Sequence, residues 1–261
     1  MLQTFLRKVV RGPGRYLRLN DIMVCIPSGI TEVEKRAVLQ AVNEVGARKT
    51  FLIEEPIAAA IGAGISVTEP VGSMIVDIGG GTTDIAIISM GGIVVSESLR
   101  VAGNHFDQEI VRYVRQKENL LIGDRSAEDI KQKIGAATLG GGDNATLEVR
   151  GRDLINSMPR TVTVSTQDVV SALKTPLERI GEGVRKVLEQ GPPELISDVT
   201  QRGVVMTGGG ALLTSLNSYL SELTNIPVVV ADNPQDCVVI GTSQALGMIH
   251  ILPDARARRR Y

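Results

Sequence analysis

The chain has 261 residues, 43% of them hydrophobic, and a formal net charge of −1. Its size and apolar content suit one large folded domain or two modest ones and exclude a disordered chain. Near-neutral charge, no tryptophan and 3% aromatic residues leave no basis for a surface that grips phosphates and stacks bases, so nucleic acid is not expected as a partner.

Residues 1–11 place Leu2, Phe5, Leu6, Val9 and Val10 at helical spacing, which predicts an amphipathic helix with no N-cap. The stretch RGPGR at 11–15 reads as a loop and DIMVCIP at 21–27 as a buried strand. From Thr31 the sequence TEVEKRAVLQAVNEVG predicts a helix with a capping box, Thr31 and Glu34, and a stop at Gly46. KTFLI at 49–53 is a second strand, and EPIAAAIGAG at 55–64 a short helix of small residues. This strand–helix–strand–helix order implies parallel neighbours in an α/β layer.

The texture changes between 72 and 101, where SMIVDI, TDIAIIS and GIVVSESLR read as short strands of an antiparallel meander. A helix is expected near 104–119, capped by Asn104, with Phe106, Ile110 and Val114 on one face, and another over 126–135 capped by Ser126. Residues 138–165 look like a small peripheral β element, and 166–190 a long helix in spite of Pro176. A strand at 203–207 leads into GGGALLTSLNSYLSEL at 208–223, read as glycines followed by a helix. A strand at 227–231 and a final helix at 235–249 complete the pattern.

Cys25 and Cys237 lie far apart and have no metal-type spacing, which favours a reducing cytosol. Arg and Lys recur through residues 1–20, so no signal peptide is expected, and no apolar stretch is long enough to span a bilayer. Arg256, Arg258, Arg259 and Arg260 make a basic C-terminal tail over 251–261. It reads as a solvated end, or alternatively as a contact for anionic lipid or a partner.

Three segments carry chemistry. In DIGGGTTD, at 77–84, Asp77 ends an apolar strand, and Gly79, Gly80 and Gly81 allow backbone N–H groups to approach a phosphate without Cβ clash. Thr82 and Thr83 add hydroxyls, and Asp77 suits a hydrated Mg²⁺. The plain alternative is a glycine-rich β-turn. A second strand–threonine–glycine run, VVMTGGGALL at 204–213, offers room for a base or ribose. In the third, Glu54 and Glu55 precede Pro56 at a helix start, where the helix dipole favours carboxylates and where one of them could orient an attacking water.

DIGGGTTD, EEPIAAAIGAG and TGGGALL, in this order, resemble the superfamily of actin and the seventy-kilodalton heat-shock chaperone ATPases. Peripheral segments such as VAGNHFDQEIVRYVR, EVRGRDLINSMPR and IPVVVADNPQDCVVIGTSQAL narrow the resemblance to the MreB family of bacterial actin-like proteins, over residues 1 to about 250. The resemblance implies an α/β, actin-like (ribonuclease H-like) ATPase fold. It implies ATP and Mg²⁺ as cofactors, with the phosphates on Gly79, Gly80, Gly81 and Thr82 and the metal supported by Asp77 through water. Glu128, Asp129, Ile130 and Lys131 would lie against ribose and base, although by themselves they read as a solvated helix face. Gly208, Gly209, Gly210 and Ala211 would form the adenosine site, and Glu55, with Thr82 nearby, would position the hydrolytic water.

The same resemblance divides the chain into a remnant of domain I (1–76) and domain II (77–250), with 108–200 as a small peripheral subdomain. It implies a self-assembling filament protein on the inner face of the cytoplasmic membrane, partnered with the cell-wall elongation machinery and setting rod shape. It departs from the family in one place: residues 1–76 contain no D-x-G-T hairpin, and Met1-Leu2-Gln3 matches an internal helix. The expectation is therefore a chain lacking the first strands of domain I, with weakened phosphate binding and impaired turnover. A chaperone-type ATPase domain, a sugar-kinase-like enzyme and an inactive chain that only co-assembles with full-length homologues are the alternatives.

Overall fold

Two parallel strands begin the part of the chain described by the computed structural model, which covers residues 21–44, 47–139, 144–250 and 252. The expected helix at 1–11, the loop at 11–15, the stop at Gly46 and the basic tail lie outside these residues. Strands β1 (Asp21–Ile26) and β2 (Lys49–Glu54) pair in parallel, Asp21 opposite Lys49 and Ile26 opposite Glu54. The helix α1 (Glu32–Asn43) joins them. Its capping box is formed: Glu34 N–H donates to Thr31 Oγ1 at 3.3 Å and Thr31 N–H to Glu34 Oε2 at 2.9 Å. Such a cap is worth about 1 kcal/mol. Helix α2 (Glu55–Gly62) follows β2 directly, with Pro56 in the first turn, where a missing N–H leaves no bond unmade.

The chain continues through β3 (Ser73–Ile78), β4 (Thr83–Ser89), β5 (Gly92–Leu99), α3 (Gly103–Glu118), β6 (Leu120–Leu121) and α4 (Asp124–Ile134). The hairpin β7 (Thr146–Asp153) and β8 (Pro159–Ser165) leads to α5 (Thr166–Gln190) and α6 (Pro193–Arg202). Strand β9 (Val204–Thr207), a 3₁₀ turn (Gly209–Leu212), α7 (Leu216–Thr224), β10 (Val228–Val230) and α8 (Cys237–Gly247) complete the described elements. The expected boundary between residues 76 and 77 falls inside β3.

Strand β3 is the middle of a five-stranded sheet in the order β10-β9-β3-β4-β5. Strands β9 and β10 run parallel in this order, β9 alongside β3, while β4 and β5 form the expected antiparallel meander. Alternation along β3 and β4 makes both faces apolar. Met74, Val76, Ile78, Ile85 and Ile87 join a core with α3, α4 and α5, including Phe106, Ile110 and Val114. Ile75, Ala86 and Ile88 face the other way, against α2 and α8. A sheet covered on both faces is why these strands read as continuous apolar runs. Strands β6, β7 and β8 form a separate three-stranded sheet.

Helices α2 and α8 cross at close range. A Cβ on Gly62 would strike the backbone of Cys237, and one on Gly241 the backbone of Ala58. The small residues of EPIAAAIG thus set the approach of two helices.

Three expectations change. Helix α3 is capped by Ala102 without a side-chain bond, and Asn104 lies inside its first turn. The N–H groups of Gly103 and Asn104 donate instead to the carbonyls of Gly79 and Gly80, at 3.1 and 2.8 Å. Helix α4 starts two residues before Ser126, from Gly123, again without a side-chain cap. The glycines at 208–210 enter a single 3₁₀ turn, and α7 begins only after Thr214 has bridged to Ala136.

Candidate functional site

A cavity of about 530 Å³ opens above the carboxyl ends of β3 and β9, the position where open α/β sheets bind ligands. Gly79 and Gly80 line it from the β3–β4 turn, Gly103, Asn104 and Asp107 from α3, and Glu128, Lys131 and Gln132 from α4. Gly209, Gly210 and Gln235 line it from the turns after β9 and β10.

The β3–β4 turn has its donors turned outward. Gly79 N–H closes the hairpin on Thr82 O at 2.9 Å, and the carbonyls of Gly79 and Gly80 accept from the start of α3. Among the described residues the N–H groups of Gly80, Gly81 and Thr82 have no acceptor. A Cβ on Gly81 would meet nothing within 4 Å, and one on Gly80 would meet only the Asn104 side chain, at 3.5 Å. Three free donors around open space suit a phosphate group.

The opposite wall is close-packed. Gly208 has φ +80°, donates to Pro234 O at 2.8 Å, and has no room for a Cβ beside the Ile78 carbonyl. Gly210 lies equally tight against the Ile78 side chain. The backbone of the turn therefore rests on β3 and leaves a flat glycine surface facing the cavity, while Ala211 is buried beneath it.

On α4, Lys131 Nζ lies 2.8 Å from Asp107 Oδ1 and donates to Gly103 O at 3.1 Å. Burial pushes the Asp107 carboxyl up, against the pull of the Lys131 cation. Glu128 and Lys131, one helical turn apart, both reach the cavity. Asp129 points to solvent, and Ile130 is fully buried in the core. Of the four expected residues the helix thus presents two to the cavity.

The carboxylates cluster on the α2 face of the sheet. Asp77 stands opposite Asp84 in the β3–β4 register and opposite Thr207 on β9. Thr207 Oγ1 donates to Asp77 Oδ1 at 2.7 Å, and Ser28 Oγ donates to Asp84 Oδ1 at 2.8 Å. Burial raises Asp77 to about 6; the Thr207 hydrogen bond opposes this and Asp84 adds to it. Burial also holds half-buried Glu55 at about 7, with Asp84 and then Asp77 adding to the rise. The same burial, with Glu55 next, pushes the Cys25 thiol to about 12, so it is an inert core group.

Asp84 Oδ2 is buried with no hydrogen-bond partner. An orphaned carboxylate oxygen beside two carboxyls raised by one another's charge suits a cation. Among the described residues no three His, Cys, Asp or Glu are grouped to enclose a metal. The arrangement therefore fits an ion that keeps most of its water, as Mg²⁺ does. Asp84, Ser28, Asp107, Asn104 and Gln235 are residues the sequence reading did not assign. The second aspartate of DIGGGTTD was the available signal for Asp84.

Strand order, the glycine turns and the cleft above β3 and β9 define an actin-like fold. MreB5 of Spiroplasma citri bound to ADP superposes with a TM-score of 0.89 at 35% identity, covering 95% of this chain and 74% of that one. The same protein bound to AMPPNP gives 0.90 at 36%, covering 95% and 75%. The MamK double helical filament shares the fold, with a TM-score of 0.78 at 21% identity, covering 94% of this chain and 73% of that one. The family model for MreB/Mbl protein matches residues 1–253, and the chain belongs to that family. The cell shape-determining protein MreB of Escherichia coli K12 is 49% identical over 250 residues, covering 95% of this chain and 71% of its own length. Mbl of Bacillus subtilis 168, also described as cell shape-determining, is 46% identical over 254 residues, covering 97% and 75%.

Proposed function

We propose that this chain binds a magnesium–adenine nucleotide in the cleft above β3 and β9 and acts as a cytoskeletal filament subunit that helps set rod shape. The observation that carries the reading is the β3–β4 turn, whose Gly80, Gly81 and Thr82 N–H groups are free beside a 530 Å³ cavity. Phosphates would lie on those donors, with Gly79 beneath them, and the base against the surface of Gly208, Gly209, Gly210 and Ala211. Glu128 and Lys131 would face the ribose, with Asp129 and Ile130 serving the helix that carries them. Asp77 and Asp84 would hold Mg²⁺ through its waters, and the ion would neutralise phosphate charge. Glu55, with Thr82 nearby, would orient the water that attacks the terminal phosphate; its raised carboxyl suits a base working near neutral pH.

Nucleotide-bound structures of the similar Spiroplasma protein and the cell-shape role of the bacterial relatives support this reading. We extend it to a cytoplasmic filament lying on the inner face of the membrane and working with the cell-wall elongation machinery. No described helix is long and apolar enough to cross a membrane, so membrane contact would be peripheral. The domain division at residue 77, with 108–200 as a small subdomain, belongs to the same reading.

The test is calorimetric titration of ATP with Mg²⁺ into the 261-residue chain, paired with sedimentation in the presence and absence of nucleotide. Saturable binding and nucleotide-dependent pelleting are expected. A chain that neither takes up ATP nor pellets would overturn the proposal.

A further inference from the structure

The turn between β7 and β8 carries apolar side chains that nothing in the described fold covers. Leu154 is 39% exposed, Ile155 80% and Met158 64%. The turn is nevertheless tightly built. Buried Asp153 accepts through Oδ1 from the N–H groups of Ile155 at 2.8 Å and Asn156 at 3.3 Å. Its carbonyl accepts from Ser157 at 3.0 Å, and its own N–H donates to Met158 O at 2.9 Å. Leu154 N–H reaches Asn119 O and Met158 N–H reaches Asn156 Oδ1, both at 2.9 Å. Pro159 has no N–H. From 153 to 159, then, no backbone donor is open. Arg160 braces the turn from below, its Nε 3.3 Å from Asp153 Oδ2 and its guanidinium donating to the Glu118 carbonyl.

A turn facing water gains little from closing every donor internally, because water closes them equally well. A turn entering hydrocarbon must close them. The flanking charge fits the same surroundings. Arg150 and Arg152 are exposed on one face of β7, and neither has a carboxylate partner among the described residues. Glu148, the exposed carboxylate of that face, lies furthest from the tip.

We propose that residues 153–159 form a docking tip for an anionic bilayer, with Leu154, Ile155 and Met158 entering the headgroup–acyl boundary while Arg150 and Arg152 meet lipid phosphates. Three apolar side chains with two adjacent cations combine the two attractions that hold peripheral elements on membranes. The inference rests on the membrane-associated part of the proposed function and assigns it an element.

The experiment is flotation of the 261-residue chain with vesicles of phosphatidylglycerol and phosphatidylcholine in equal parts, and with phosphatidylcholine alone. The wild type should float with the anionic vesicles. The Ile155→Ser, Met158→Ser double variant should lose roughly ten-fold or more in partitioning at unchanged melting temperature, since both side chains are exposed. The Arg150→Gln, Arg152→Gln variant should lose roughly ten-fold on the anionic vesicles and nothing on the neutral ones. Double variants that float like the wild type would overturn the tip and leave membrane association standing. A wild type that pellets with ATP but floats with neither vesicle would overturn both while leaving the nucleotide and filament reading intact. A Ser double variant that floats normally but no longer pellets would reassign the tip to a contact between copies, and the proposal would fall.

Discussion

Asp77 and Asp84 face one another across the β3–β4 ladder, and each is held by a hydroxyl from a different part of the chain. Thr207 on β9 reaches Asp77 at 2.7 Å, and Ser28, in the loop after β1, reaches Asp84 at 2.8 Å. The carboxylate pair thereby ties the β1–β2 layer and β9 to the turn proposed to hold phosphate.

That pair, with Glu55, makes stability depend on pH. Asp77 stands at about 6 instead of 3.8, and Glu55 at about 7 instead of 4.5, in both cases chiefly through burial. A carboxyl raised in the fold favours the native state while it is protonated. The contribution is complete below the ordinary carboxylate range and is lost as pH rises through about 6 to 7. The nucleotide-free chain should therefore melt lower at about pH 8 than near pH 5 on account of these groups. Asp77→Asn should recover on the order of 1–3 kcal/mol at the higher pH. Magnesium would reverse the preference, because it requires the ionised forms. Thermal melts across that range, with and without Mg²⁺–ATP, check both signs.

Ser28→Ala should cost more than one surface hydroxyl. It removes the donor to Asp84 Oδ1, on a carboxylate that is fully buried and already has an unpartnered Oδ2. Leaving such a group unpaired costs about 1–3 kcal/mol. Adding Asp84→Asn should return part of that loss, because the neutral amide has no charge to bury. Urea unfolding of the two single variants and the double variant measures the coupling, and strict additivity would contradict this account.

The glycines of the two turns should behave in opposite ways. Gly208 has φ +80° and abuts the β3 backbone, so Gly208→Ala meets both strain and a clash and should destabilise by about 2–4 kcal/mol. A Cβ at Gly81 meets nothing, so Gly81→Ala should stay within about 0.5 kcal/mol of the wild type. The added methyl would nonetheless stand in the space assigned to phosphate. A roughly ten-fold weaker ATP affinity at unchanged melting temperature is expected, equivalent to about 1.4 kcal/mol. Equal affinity in the Gly81 variant would move the phosphate elsewhere.

Much of this was readable locally. The capping box at Thr31 and Glu34, the meander from 73 to 99 and the apolar stripe of Phe106, Ile110 and Val114 need only near neighbours in sequence. The errors arose where a distant segment decided the outcome. Asn104 resembles a cap, but the donors it would have served are taken by Gly79 and Gly80. The residues EDIK look uniform in sequence, yet helical rotation sends Ile130 to the core and Asp129 to water while Glu128 and Lys131 reach the cavity. The bond from Ser28 to Asp84 spans 56 residues, and the one from Thr207 to Asp77 spans 130. Register between strands far apart in sequence creates both, and no periodicity announces it.

Lys131 offers the sharpest separation of binding from folding. Its ammonium bridges Asp107 Oδ1 and Gly103 O, tying α4 to the start of α3 at the cavity wall, and both charged side chains keep some contact with solvent. Lys131→Met preserves the stem and removes the charge. Asp107 then loses the cation that opposes its burial, so its carboxyl should rise further and take up a proton, which limits the damage to stability. A partly exposed pair of this kind should cost about 1–2 kcal/mol. The nucleotide has no such escape: an anion bound beside Asp107 without Lys131 loses the only positive side chain lining the cavity. Affinity for ATP should fall by more than ten-fold, a loss greater than about 1.4 kcal/mol. Asp107→Asn, which keeps the ammonium, should hold affinity within a few-fold at a similar stability cost. Calorimetric titration of the two variants decides the matter: parallel losses of affinity would mean that the pair only braces the helices, whereas a loss confined to Lys131→Met would assign the charge to the ligand.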